Sequence, residues 1–122
     1  MNELRTDLTL QHYVDLLEHM RAGGYRLFAL DDDGELQALA GIAIRTNFYY
    51  RKYLFVYDLI TTGSGRSKGH GRELLLYLED LGRSEGCNTL ALTSGLQRAD
   101  AHRFYEDKMG YRRVSYAFTK VL

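Results

Sequence analysis

The segment Gly63-Ser64-Gly65-Arg66-Ser67-Lys68-Gly69-His70-Gly71-Arg72 lies between an apolar run and a leucine-striped one, and its residue types suit an anion. A helix that starts here leaves its first N–H groups without intrahelical partners and carries partial positive charge at that end. Gly69 and Gly71 remove side chains from in front of those amides, so an anion can reach them directly. Arg66, Lys68 and Arg72 add full positive charge, while His70, inside the same turn, is expected to face solvent. The helix dipole alone contributes roughly 0.3–1 kcal/mol to an anion at an exposed helix end. Two common phosphate loops do not fit. A Walker-type loop needs glycine before its lysine and serine or threonine after it, whereas Ser67 precedes Lys68 and Gly69 follows. The dinucleotide fingerprint needs a third glycine where Lys68 stands. What remains is arginine, two residues, glycine, one residue, glycine, a pattern that by itself also fits an ordinary tight loop.

Other residues with chemical potential are few. Asp58 sits in an otherwise apolar strand pattern, where a carboxylate needs a reason. It either accepts a proton, directly or through water, or orients a cationic substrate, or is satisfied by neighbouring backbone or an arginine. Tyr105 lies on the same helical face as Ala101 and, from spacing alone, reads as a core aromatic. His12, His19, His70 and His102 have no metal-site spacing, so no metal is expected. Cys87, before a strand, suits packing better than nucleophilic chemistry.

These residues need elements to position them. Tyr13, Leu16, Leu17 and Met20 recur at helical spacing, with Asp7 or Thr9 to cap the start and Gly23-Gly24 to end the pattern. Tyr25 to Leu30 reads as a strand, Asp33-Gly34 as a hairpin turn, and Glu35 to Thr46 as the return strand. Asn47 to Lys52 looks like a second hairpin tip. Tyr53 to Thr62 is apolar on both faces, as a central strand is. Simple alternation puts Tyr53, Phe55, Tyr57 and Leu59 on one face, and Leu54, Val56, Asp58 and Ile60 on the other. Leu74, Leu75, Leu78 and Leu81 mark a helix ended by Gly82 and Gly86. Thr89 to Thr93 is a short strand, Ala101 to Met109 a helix stopped at Gly110, and Tyr111 to Leu122 one strand or two meeting at a kink. Three strands in hairpins followed by strand–helix–strand units imply an α/β (α+β) fold with a mixed sheet and helices packed on its faces.

Composition narrows the classes further. A chain of 122 residues suits a single domain over 1–122. Lysine plus arginine and aspartate plus glutamate number 16 each, so bulk charge gives no reason for a nucleic-acid partner. Arg98, Arg103, Lys108, Arg112 and Arg113 read better as a solvated face than as a nucleic-acid surface. A single cysteine excludes an internal disulfide, and no apolar run reaches membrane-spanning length; a cytoplasmic location and no membrane partner are the expectation.

Arg66-Ser67-Lys68-Gly69-His70-Gly71, preceded by Asp58-Leu59-Ile60-Thr61, resembles the acetyl-CoA signature of the GNAT superfamily of N-acetyltransferases. Ala101-His102-Arg103-Phe104-Tyr105 followed by Gly110-Tyr111 resembles that family's later helix and the strand after it. By order of elements the resemblance covers residues 8–122, most specifically 53–111. It implies a mostly antiparallel, twisted sheet with helices on both faces. It also implies acetyl-CoA as co-substrate, and direct acetyl transfer to a small-molecule amine or a protein amino group. Leu59, Ile60 and Thr61 would hold the pantetheine arm and offer an N–H near the thioester oxygen; Arg66 to Arg72 would hold the pyrophosphate. Tyr105 matches the tyrosine that protonates the departing coenzyme A sulfur. A phenol, with a reference pKa of about 10, keeps its proton at neutral pH for that task. A non-catalytic acetyl-CoA-binding regulatory module on the same fold is the alternative. The chain departs from the family in three places. There is no room for the usual first strand and additional helix, which leaves an exposed sheet edge that invites a homodimer. Arg98 stands where asparagine is frequent, and one extra residue separates Tyr105 from Gly110.

Overall fold

The computed structural model describes residues 10–32, 34–61 and 69–122. Expected helix caps at Asp7 or Thr9, and the cationic positions Arg66, Ser67 and Lys68, lie outside the described residues. The chain divides into two compact units, the first ending at Ala91 and the second beginning at Leu92.

In the first unit α1 spans Leu10–Ala22. It stops because Gly23 and Gly24 turn their N–H groups back onto the carbonyls of Met20 and Arg21, with Gly24 at a φ of 100° that suits glycine. The Tyr25 N–H also bonds back to the Met20 carbonyl, at 2.9 Å. Tyr25 therefore belongs to the helix exit, and β1 begins one residue later than alternation suggests, at Arg26–Asp32. β2 covers Glu35–Asn47 and β3 Arg51–Thr61. Asp32 pairs with Glu35 across the first hairpin. At the second hairpin Asn47 Oδ1 accepts the Tyr50 N–H at 2.6 Å, a side-chain turn of the kind asparagine favours. β1, β2 and β3 pair antiparallel. After α2 (His70–Ser84), β4 (Thr89–Leu92) completes a four-stranded sheet in the order β1-β2-β3-β4.

Residues directly opposite each other in an antiparallel pair share a face. Ala38, Ala40, Ile42 and Ile44 of β2 stand opposite Thr61, Leu59, Val56 and Leu54 of β3. α2 covers this face: Leu74, Leu75 and Leu78 are buried with Ile42, Leu54 and Val56. Each such side chain contributes roughly 1.5–3 kcal/mol. Buried Gly82 faces Leu54, where a Cβ would stand at an ordinary 3.7 Å from that of Leu54. The helix closes with the Cys87 N–H on the Gly82 carbonyl at 2.9 Å, and burial pushes the Cys87 thiol up, as suits packing.

In the second unit α3 spans Ala99–Arg103 and runs on as a π-helical turn over Phe104–Lys108. Residues 111–122, expected as strand, are in none, and no described residue after Leu92 is. Val114, Tyr116 and Phe118 alternate as a strand would, yet all three are exposed. Period two gives strand propensity; only a ladder partner makes a strand. Among the described residues no helix is long and apolar enough to cross a membrane, and no three metal-ligating side chains cluster.

Candidate functional site

The pairing of β2 with β3 breaks once. Gly41 faces Asp58 but Ile42 faces Val56, so Tyr57 is an extra residue on β3, a β-bulge. Simple alternation along Tyr53 to Thr62 therefore fails at this point. Leu59 joins Leu54 and Val56 on the face covered by α2. Asp58 and Ile60, opposite Gly41 and Leu39, join Tyr53 and Phe55 on the other face. The bulge carries the carboxylate out of the core and onto an aromatic face.

Asp58 is exposed, and its Oδ2 accepts a hydrogen bond of 2.6 Å from the Tyr25 hydroxyl. The phenol reaches it by lying across β2 at Gly41. A Cβ on Gly41 would stand 1.7 Å from the Tyr25 oxygen, so only glycine admits the ring. Tyr25 is 7% exposed. Burial, and then donation to the Asp58 carboxylate and its charge, push the phenol above the ordinary tyrosine range, so it remains a donor. Sequence reasoning flagged Asp58 and missed Tyr25. The available signal was Gly41, a glycine inside an apolar strand.

A row of rings continues from Tyr25. Its centroid is 5.7 Å from that of Tyr57, Tyr57 is 4.8 Å from Phe55, and Phe55 is 6.4 Å from Tyr53. Tyr50 and Tyr49 extend the row into the hairpin tip. Arg45, opposite Tyr53, donates from Nε to the Tyr57 hydroxyl at 3.2 Å and from Nη1 to the Gly23 carbonyl. It thereby ties the end of α1 to the face opposite α2.

Of the expected anion-binding turn, Gly69, His70, Gly71 and Arg72 are described. Gly69, at a φ of 77°, precedes α2, and among the described residues no side chain caps the helix. Its carbonyl accepts the Glu73 N–H at 3.0 Å, while the amides ahead of Glu73 are those that a helix start leaves over. His70 is half-buried rather than solvent-facing, because the first helical turn folds it inward. Its Nδ1 is shielded and has no hydrogen-bond partner among the described residues. An uncapped helix start beside an orphaned ring nitrogen fits a phosphate oxygen. A Cβ on Gly71 would come 3.2 Å from Thr61 Cγ2, so the turn and the end of β3, Leu59 to Thr61, lie together. These three residues are half-buried.

In the second unit Tyr105 occupies the π-helical turn, where the Met109 N–H bonds five residues back to the Phe104 carbonyl at 3.1 Å. The turn accommodates an additional residue within the helix, which accounts for the unusual Tyr105-to-Gly110 spacing. The Tyr105 ring lies 5.4 Å from Phe104 and 6.1 Å from Tyr111. Burial raises its phenol, and Arg98, in the position where asparagine is frequent, lowers it by a smaller amount. His102 Nε2 lies 2.8 Å from the Gly95 carbonyl and braces the preceding loop.

The Acetyltransferase (GNAT) family model matches residues 2–111. The chain is 45% identical over 121 residues to an uncharacterized N-acetyltransferase, YhdJ, of Bacillus subtilis (strain 168), covering 98% of this chain and 85% of that protein. It is 26% identical over 91 residues to the aminoalkylphosphonate N-acetyltransferase of Salmonella typhimurium, over 74% of this chain and 58% of that one. Its fold is shared by an aminoglycoside N-acetyltransferase solved in complex with CoA: TM-score 0.76, 17% identity, 91% of this chain and 75% of the other. A single family model that spans the bulged strand, the glycine turn and the Tyr105 helix settles the kinship: the chain belongs to the acetyltransferase (GNAT) family.

Proposed function

We propose that the chain is an acetyl-CoA-dependent N-acetyltransferase. The observation that carries this reading is the start of α2, opened by Gly69, where among the described residues no side chain caps the helix and none partners His70 Nδ1. The amides of His70, Gly71 and Arg72 hold the pyrophosphate of the thioester substrate, with Arg66, Ser67 and Lys68 contributing from the preceding turn. Backbone groups of Leu59, Ile60 and Thr61, on the edge of β3 turned away from their β2 partners, take the pantetheine arm. The acceptor's ammonium meets Asp58 and gives up a proton, directly or through water. The neutral nitrogen then attacks the thioester carbonyl; the carbon–nitrogen bond forms as the carbon–sulfur bond breaks. The amine's second proton leaves by the same route, and Tyr105 protonates the departing sulfur and is reprotonated from solvent. Among the described residues β1 is an edge strand of the sheet, which is compatible with a homodimer.

A coenzyme A release assay over arylalkylamines, polyamines, aminoalkylphosphonates, aminoglycosides and peptide N-termini tests the reading. Release that depends on an amine, with the acetyl group recovered on its nitrogen, supports it. Tight acetyl-CoA binding with no turnover of any amine would leave only a binding module.

A further inference from the structure

The aromatic face around Asp58 has a chemistry of its own. Tyr53, Phe55 and Tyr57 form a continuous row that ends at a carboxylate held by the Tyr25 hydroxyl. Tyr57 is 44% exposed and Asp58 is exposed, so the carboxylate end of this row is reachable from solvent. The larger apolar cluster lies on the opposite face, against α2; on this face Ala43 and Tyr25 are buried, Tyr53 and Phe55 are half-buried, and Tyr57 reaches solvent beside the carboxylate.

We propose that this face is the acceptor site, and that it selects a primary amine joined by a short alkyl link to an aromatic ring. The proposal rests on the reading of Asp58 as the carboxylate that receives the amine. Charge decides between this acceptor and its rivals. Asp58 stands opposite Gly41, and its neighbours on the face are apolar, with Leu39 opposite Ile60 and Ala43 opposite Phe55. One ammonium is therefore matched. A polyamine or an aminoglycoside brings further ammonium groups, and among the described residues of β2 and β3 the next charged side chain along the face is the Arg45 guanidinium, 6.0 Å from the Tyr57 ring centroid. That cation repels a second ammonium. A small alkylamine satisfies Asp58 but leaves the rings uncovered. An arene two carbons from the nitrogen reaches Tyr57 and Phe55 while its ammonium stays on the carboxylate, and stacks with them edge-on or offset.

The test is coenzyme A release with 2-phenylethylamine, propylamine and spermidine. The expected kcat/KM for 2-phenylethylamine is at least about tenfold above that for either of the others, the scale of one well-formed aromatic contact with its apolar burial. In Phe55→Leu/Tyr57→Leu the ratio of 2-phenylethylamine to propylamine should fall towards one. Both rates come from the same variant, so a loss of folded protein cancels. Should the double variant not fold, Tyr57→Leu alone, at a half-exposed ring, gives the same readout. Equal rates for all three amines, a preference for spermidine, or an undiminished ratio in the variants would overturn the aromatic site and leave acetyl transfer standing. If no amine is turned over, calorimetry with the CoA-saturated protein decides. Tighter binding of 2-phenylethylamine than of propylamine upholds the site while acetyl transfer falls; equal or absent binding overturns both.

Discussion

Tyr25 can donate to Asp58 only because position 41 has no side chain. Removing the hydroxyl in Tyr25→Phe keeps the ring and deletes the bond. Asp58 is partly solvated, so the cost in stability should be only about 1 kcal/mol. The larger effect should be on the reaction, a loss of about tenfold in kcat/KM for the amine, because the carboxylate is no longer held in one orientation. Acetyl-CoA binding should be unchanged, and steady-state kinetics beside calorimetry checks both. Gly41→Ala should cost about 1–3 kcal/mol in urea unfolding, since the new methyl and the phenol cannot share the space. Tyr105→Phe should lower kcat by about 100-fold with coenzyme binding nearly intact; an unchanged kcat would remove Tyr105 from the reaction. Both phenols titrate higher in the fold than in the open chain. Stability tied to them is complete below the unfolded value of about 10 and is lost as pH rises past it towards the folded values. Urea midpoints should therefore decline above about pH 10, and decline less in Tyr25→Phe. At this scale the sequence disclosed Asp58, a carboxylate among apolar residues. It hid Tyr25, whose contact spans 33 positions and depends on a glycine with no chemistry of its own.

Elements explain why the prediction of faces failed. Period-two alternation holds along a strand until an extra residue enters, and the bulge at Tyr57 shifts every later residue of β3 to the other face. Nothing in the residue types of 53–61 announces that insertion. A similar insertion in the later helix was legible as an extra residue before Gly110, though only the structure shows it absorbed as a π-turn. α2 was legible throughout, because its stripe of leucines is strong and Gly86 stops it at a φ of 82°. Gly82 offers a test of that packing. Its missing Cβ would meet only ordinary contacts of 3.7 Å, and its φ is not in the left-handed region. Gly82→Ala should therefore stabilise the protein by about 0.5–1 kcal/mol through helix propensity and reduced freedom of the unfolded chain, read from the shift in urea midpoint at constant slope. A destabilisation would mean that α2 lies closer to Leu54 than described.

For the whole molecule, the order of elements was legible because the hairpins and the strand–helix–strand crossover are marked by glycines and periodicity. The C-terminal segment was not, since a strand's existence depends on a partner that local sequence does not name. Family membership places acetyl transfer within reach; the uncapped start of α2 gives it a physical basis in this chain. The most direct measurement is calorimetric titration with acetyl-CoA and, separately, with acetyl-pantetheine, which carries the same thioester arm but no pyrophosphate. If the α2 amides grip the pyrophosphate, acetyl-CoA should bind at least about tenfold more tightly, as several charge-assisted hydrogen bonds would provide. Equal affinity for the two would contradict the account.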